Sequence, residues 1–117
     1  MPESNERGAL TEAVFYILLA LYEPMHGYGV MQRVREMSGG RVVLGAGTLY
    51  GAVVTLTEKA WILPLAGEKD SRKKAYAITE AGKAVVAEEV RRLEELAANG
   101  RRIAGLAEDM STGRGER

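Results

Sequence analysis

The chain of 117 residues sets 16 lysines and arginines against 16 aspartates and glutamates, with 46% hydrophobic residues, one histidine and no cysteine. Without cysteine there are no disulfides, thiolate metal sites or thiol nucleophiles, and the lone His26 makes histidine-rich metal sites and serine triads implausible. The length suits one domain whose small core a second copy would help complete, and the neutral total argues against nucleic-acid affinity unless the cations cluster.

Residues 1–9 are polar and small and read as a flexible N-terminal arm without a signal-peptide pattern. Leu10 to Tyr22 is the first expected helix: Leu10, Val14, Ile17, Leu18 and Leu21 share a face, with Thr11 and Glu12 at its start. Its apolar run, Ala13 to Tyr22, falls well short of the roughly 20 residues that span a bilayer, so the expected location is cytoplasmic, with no membrane partner. Glu23-Pro24 stops the helix.

Met25 to Gly29 reads as a turn opening a second helix that reaches about Ser38, with Met31, Val34 and Met37 on its apolar side and Gly39-Gly40 as the stop. His26 belongs to that turn and is not expected to bind a ligand. Leu44 to Ile62 forms the centre of the pattern. A Gly45-Ala46-Gly47 turn precedes Thr48 as the expected N-cap, and Leu49, Ala52, Val53, Leu56 and Ala60 recur at helical spacing.

A hairpin follows, with Ile62 to Leu65 as one strand, Pro64 marking an edge, and Lys73 to Ile78 returning with a period of two. The cations cluster here: Lys69, Arg72, Lys73 and Lys74 stand against Asp70 alone. Trp61 is expected to pack under this hairpin. Thr79-Glu80 restarts a helix reaching at least Ala98. Val86, Leu93, Gly100 and Ala107, with Glu89, Leu96, Ile103 and Met110, form a coiled-coil-like seam that Glu89 and Gly100 flaw. Whether Asn99-Gly100 splits the helix stays open. The tail after residue 110 is Gly-, Arg- and Glu-rich.

The expected fold is mainly α with a small β-hairpin. It comprises a winged helix-turn-helix DNA-binding domain over residues 10–78, a C-terminal dimerisation helix over 79–110 and a disordered tail over 111–117. Met25-His26-Gly27-Tyr28, Gly47-Thr48-Leu49-Tyr50, Leu56 with Glu58-Lys59, Arg72-Lys73-Lys74 with Tyr76, and Ile78-Thr79-Glu80-Ala81-Gly82 together resemble the PadR family of bacterial transcriptional regulators. The likeness is to its short branch with a single dimerisation helix.

The resemblance implies a homodimer whose third helix enters the major groove of double-stranded DNA while the wing touches the backbone or minor groove. Many members are repressors released by phenolic acids, drugs or other small aromatic effectors. The chain departs from the family pattern at Gly51 (usually proline), at Thr55 and Thr57 (commonly an arginine and an acid around Leu56), at Ala60 (glycine) and at Ala75 (one of two wing tyrosines). The recognition helix therefore has no arginine for bidentate guanine contacts.

The DNA-binding candidates are Thr48 and Tyr50 at the start of that helix, Thr55 further along, Tyr28 and Gln32 on the second helix, and Arg72, Lys73 and Lys74 in the wing. The hydroxyls and amide suit phosphate or base edges, and the wing cations suit phosphates. Tyr50 packed on the second helix and a merely solvated hairpin tip are the plainer alternatives. Phe15, Leu18, Val86, Glu89, Leu93 and Leu96 are the candidates for a dimer interface or effector pocket. Some relatives carry a stacking tryptophan near the position of Leu93.

No phosphate loop or carboxylate pair suggests an enzyme, and no cofactor is expected. The leading reading is a dimeric repressor on a palindromic operator. A winged-helix module that binds protein instead of DNA is the alternative, favoured by the neutral charge and the cation-poor third helix.

Overall fold

The computed structural model describes residues 8–66 and 74–106. In chain order they form α1 (Glu12–Ala20), β1 (Met25–His26), α2 (Gly27–Met37), α3 (Ala46–Glu58), β2 (Ile62–Pro64), β3 (Ala75–Ile78) and α4 (Glu80–Ala104). This is a winged helix-turn-helix followed by one long helix.

Local chemistry explains most element ends. The Thr11 hydroxyl accepts from Val14 N at 3.1 Å, capping α1, and Thr79 caps α4 by accepting from Gly82 N at 3.0 Å. α2 and α3 end in the same Schellman arrangement. Gly40 N reaches Arg35 O and Gly39 N reaches Glu36 O, as Trp61 N reaches Leu56 O and Ala60 N reaches Thr57 O. The left-handed position is a glycine in the first case, Gly39 at φ 64°, but an alanine in the second, Ala60 at φ 65°.

The core joins all three layers. Ile17, Leu18 and Leu21 of the first helical segment meet Val30 and Val34 of α2, Leu49, Val53 and Leu56 of α3, Ile62 and Tyr76 of the sheet, and Val85 and Val86 of α4. Apolar residues spaced three and four apart on each helix make this possible.

Two expectations need correction, and a third point left open is answered. The wing sheet has three antiparallel strands in the order β1-β3-β2. Met25 pairs with Tyr76 and His26 with Ala75, so the supposed turn before α2 contributes a strand. β2 does lie at an edge, with Pro64 opposite Tyr76. Secondly, Gly45, not Thr48, is the N-cap of α3, and Thr48 stands inside the first turn. Thirdly, α4 runs unbroken through Asn99 and Gly100, where Arg102 Nη1 donates to Asn99 Oδ1 at 2.9 Å. It ends at Ala104 with Gly105 left-handed, so Ala107 and Met110 of the seam lie outside the described residues.

Two tight joints fix the wing against the helices. Thr79 N donates to Trp61 O at 2.9 Å, and Thr79 Oγ1 donates to Ala60 O at 2.7 Å, tying the end of α3 to the start of α4. A Cβ on Gly82 would fall 2.2 Å from Trp61 O, so only glycine lets α4 start there. Ile78 N donates to Leu21 O at 2.9 Å, holding the sheet against the end of α1.

Candidate nucleic-acid interface

α3 divides into two faces. Leu49, Val53 and Leu56 are buried, whereas Gly47, Thr48, Gly51, Val54, Thr55 and Glu58 are exposed along one side. The exposed set recurs with the helical period, so it forms a single stripe pointing away from the core.

Thr48 and Thr55 thus stand where a groove-facing helix presents side chains. Tyr50 does not join them fully. It is half-buried against the start of α2, and a Cβ on Gly27 would lie 2.3 Å from its hydroxyl. Gly27 is therefore favoured by close approach rather than by its backbone angle, and Tyr50 is a strut between α2 and α3. Burial pushes the Tyr76 phenol above its usual pKa, with neighbouring Tyr50 adding to the rise, so this part of the joint stays uncharged.

Tyr28 and Gln32 lie exposed on α2, and Gln32 Nε2 donates to Tyr28 Oη at 3.4 Å. Arg33 and Arg35 are exposed on the same helix. Of the wing cations, Arg72 and Lys73 lie outside the described residues. Lys74 is half-buried beside β3. It shares a concavity with Val54, Thr57 and Glu58 of α3 and with Pro64 and Tyr76 of the sheet. Lys59, the one cation at the end of α3, turns back within the chain, its Nζ 5.2 Å from the Trp61 ring centroid.

The proposed seam residues separate by depth. Leu18 is completely buried and Val86 nearly so. Both serve the core of a single chain, a correction to their expected place in a dimer interface or effector pocket. Glu89 is also interior, 2% exposed. Its carboxylate accepts from Leu10 N at 3.3 Å and from Arg92 Nε at 3.0 Å, and a second Arg92 nitrogen completes a two-pronged pair. That bonding raises the Arg92 pKa above the ordinary guanidinium value. Glu89 is therefore a latch joining the segment before α1 to α4, not a flaw in a seam.

Phe15 is half-buried, and Leu93 and Leu96 are exposed by 43% and 53%. Beside them a cavity of about 360 Å³ opens between α1 and α4, lined by Leu10, Phe15, Tyr16, Glu89, Arg92 and Leu93 among others. Arg41 and Glu12, which also line it, form an ion pair at its rim.

Sequence reasoning had the packing of Tyr50 on the second helix as its plainer alternative, but missed the part Gly27 plays in it, the Glu89–Leu10 bond and the strand at Met25. Each is a contact between distant segments, which no local pattern marks. Among the described residues no helix is long and apolar enough to cross a membrane, and no three metal-ligating side chains stand together.

A three-helix unit with an exposed third helix beside a small sheet, extended by one long helix, defines a winged-helix protein. Residues 15–88 match the transcriptional regulator PadR-like family. The chain belongs to that family of DNA-binding regulators, which are not enzymes. It is 34% identical over 86 residues to a 37.1 kDa protein in transposon TN4556 of Streptomyces fradiae. The match takes in 73% of this chain but only 24% of that relative's length.

Among solved structures, a PadR family transcription regulator from hypervirulent Clostridium difficile superposes with a TM-score of 0.65 at 22% identity, covering 80% of this chain and 99% of that one. Bordetella bronchiseptica BpsR, whose DNA binding is regulated by 6-hydroxynicotinic acid, superposes with a TM-score of 0.61 at 22% identity. There 86% of this chain and 69% of that one are covered. At such identities the superpositions establish the shared fold.

Proposed function

We propose that the chain acts in the cytoplasm as a homodimeric repressor that binds a palindromic operator and is released by a small apolar or aromatic effector. Two α3 helices, one from each subunit, enter successive major grooves about 34 Å apart. Thr48 and Thr55 face the bases, Tyr28 and Gln32 flank the backbone, and Arg72, Lys73 and Lys74 neutralise phosphates.

The observation that carries this reading is the outer part of α4. Val90, Leu93, Leu96 and Ile103 are exposed apolar residues on a helix that outruns its own domain, a surface suited to a second copy. The cavity beside Leu93 and Phe15 adjoins that surface, so an effector lodged there favours one subunit angle over another and shifts the population away from the DNA-competent spacing. The effector-controlled DNA binding of BpsR is a precedent on the same fold.

The test is capture of fragmented genomic DNA at two salt concentrations by the wild type and by an Arg72→Ala, Lys73→Ala, Lys74→Ala variant. An inverted repeat should be enriched, weakened by salt and lost in the variant. Each phosphate contact removed lowers the salt slope by about 0.9. No enriched site, with the variant behaving as wild type, would falsify the DNA reading. A salt-insensitive protein complex would then point to the interaction-module alternative.

A further inference from the structure

The outward stripe of α3 has an unusual chemical make-up for a surface that reads bases. Its side chains are those of Thr48, Val54, Thr55 and Glu58, separated by Gly47 and Gly51, all exposed. The residues that recognise guanine and adenine by paired hydrogen bonds are arginine, lysine, asparagine and glutamine. None stands on this stripe, and Lys59 is turned onto Trp61. Val54, an aliphatic side chain, is 57% exposed.

Gly47 and Gly51 are the second part of the argument. Neither has a positive φ, and a Cβ on either would meet nothing within 4 Å. The fold does not need them, and glycine within a helix lowers its stability. What they do provide is a low surface, over which the helix backbone can come close to base edges. Short side chains such as valine and threonine touch the groove floor only when the helix lies that deep.

We propose that α3 reads its operator through thymine 5-methyl groups, contacted by Val54 and by the methyls of Thr48 and Thr55, rather than through hydrogen bonds to guanine. The thymine methyl is the one apolar group in the major-groove code, and apolar side chains are its complement. Glu58 closes the stripe with an acceptor suited to cytosine N4. The proposal rests on the reading of α3 as the groove helix.

The experiment uses the full chain and two randomised duplex libraries, one ordinary and one in which deoxyuridine replaces thymidine. The ordinary library should yield an inverted repeat with thymines in each half-site. Single deoxyuridine replacements at those positions should weaken binding about fourfold per methyl, the value of one buried methyl group. 7-Deazaguanine at the half-site guanines should change little. Val54→Ala and Thr55→Ser, exposed substitutions that keep the helix, should each abolish the penalty at one thymine.

A site bound equally well with deoxyuridine, or lost with 7-deazaguanine, overturns methyl reading and leaves the regulator intact. Variants that keep the full set of deoxyuridine penalties also overturn it. No enrichment from either library sinks the groove-helix reading and this inference together.

Discussion

Gly82 and Gly51 lie inside helices of the same chain, both at negative φ, and serve opposite ends. At Gly82 a missing side chain lets α4 start against the Trp61 carbonyl, where a Cβ would be only 2.2 Å away. At Gly51 nothing stands within 4 Å, so the missing side chain leaves room for a partner and does nothing for the fold. One glycine permits contact within the molecule and the other permits contact with something outside it. Stability and binding should therefore separate when the two are changed.

The largest effect is expected at the joint. Gly82→Ala forces backbone to move and should destabilise by about 3 kcal/mol, at the upper end of ordinary overpacking costs. Gly27→Ala meets the tip of Tyr50, which can swing aside, and should cost only about 1–2 kcal/mol. Urea denaturation reads both, and an unchanged midpoint for Gly82→Ala would show that the joint is not tight.

On the open face the sign reverses. Gly51→Ala should stabilise by about 1 kcal/mol while weakening DNA binding. Gly100→Ala, also exposed with open space around it but on α4, should stabilise by about the same amount. If Gly51→Ala binds operator as tightly as wild type, close approach of α3 is wrong.

The smallest change concerns Ala60, held at φ 65° where α2 uses Gly39 for the same turn. Left-handed backbone strains any residue with a Cβ, but glycine loses more entropy on folding. Ala60→Gly should accordingly gain somewhat less than about 1 kcal/mol, visible as a modest rise in Tm with DNA binding unaltered.

The candidate interface was only partly legible. Exposure of Thr48, Thr55 and Val54 follows from the spacing of Leu49, Val53 and Leu56, which must face inward. The same spacing could not tell that Tyr50 leans on Gly27, because that depends on how closely α2 and α3 approach. Nor could it tell that Leu18 and Val86 are interior while Leu93 and Leu96 are exposed. All four are apolar residues at helical positions; Leu18 faces the core from α1, and Val86 differs from Leu93 and Leu96 in how far along α4 the rest of the domain reaches.

By itself the amino-acid sequence determined the number and order of the helices and several of their ends, through Thr11 and Thr79 as caps, Pro24 and Gly39-Gly40 as stops, and the three-to-four spacing of apolar residues between them, while the start of α3 at Gly45 did not follow from it. These are effects among neighbours in the chain, governed by backbone angles and hydrogen bonds that close within a few residues. Tertiary structure alone decided that Met25-His26 becomes a strand beside β3, that Gly27 lies under the Tyr50 ring, that Gly82 must be glycine, and that Glu89 holds Leu10 from 79 residues away. Those outcomes arise only when distant surfaces meet, and the free energy that selects them comes from burial and pairing across the gap.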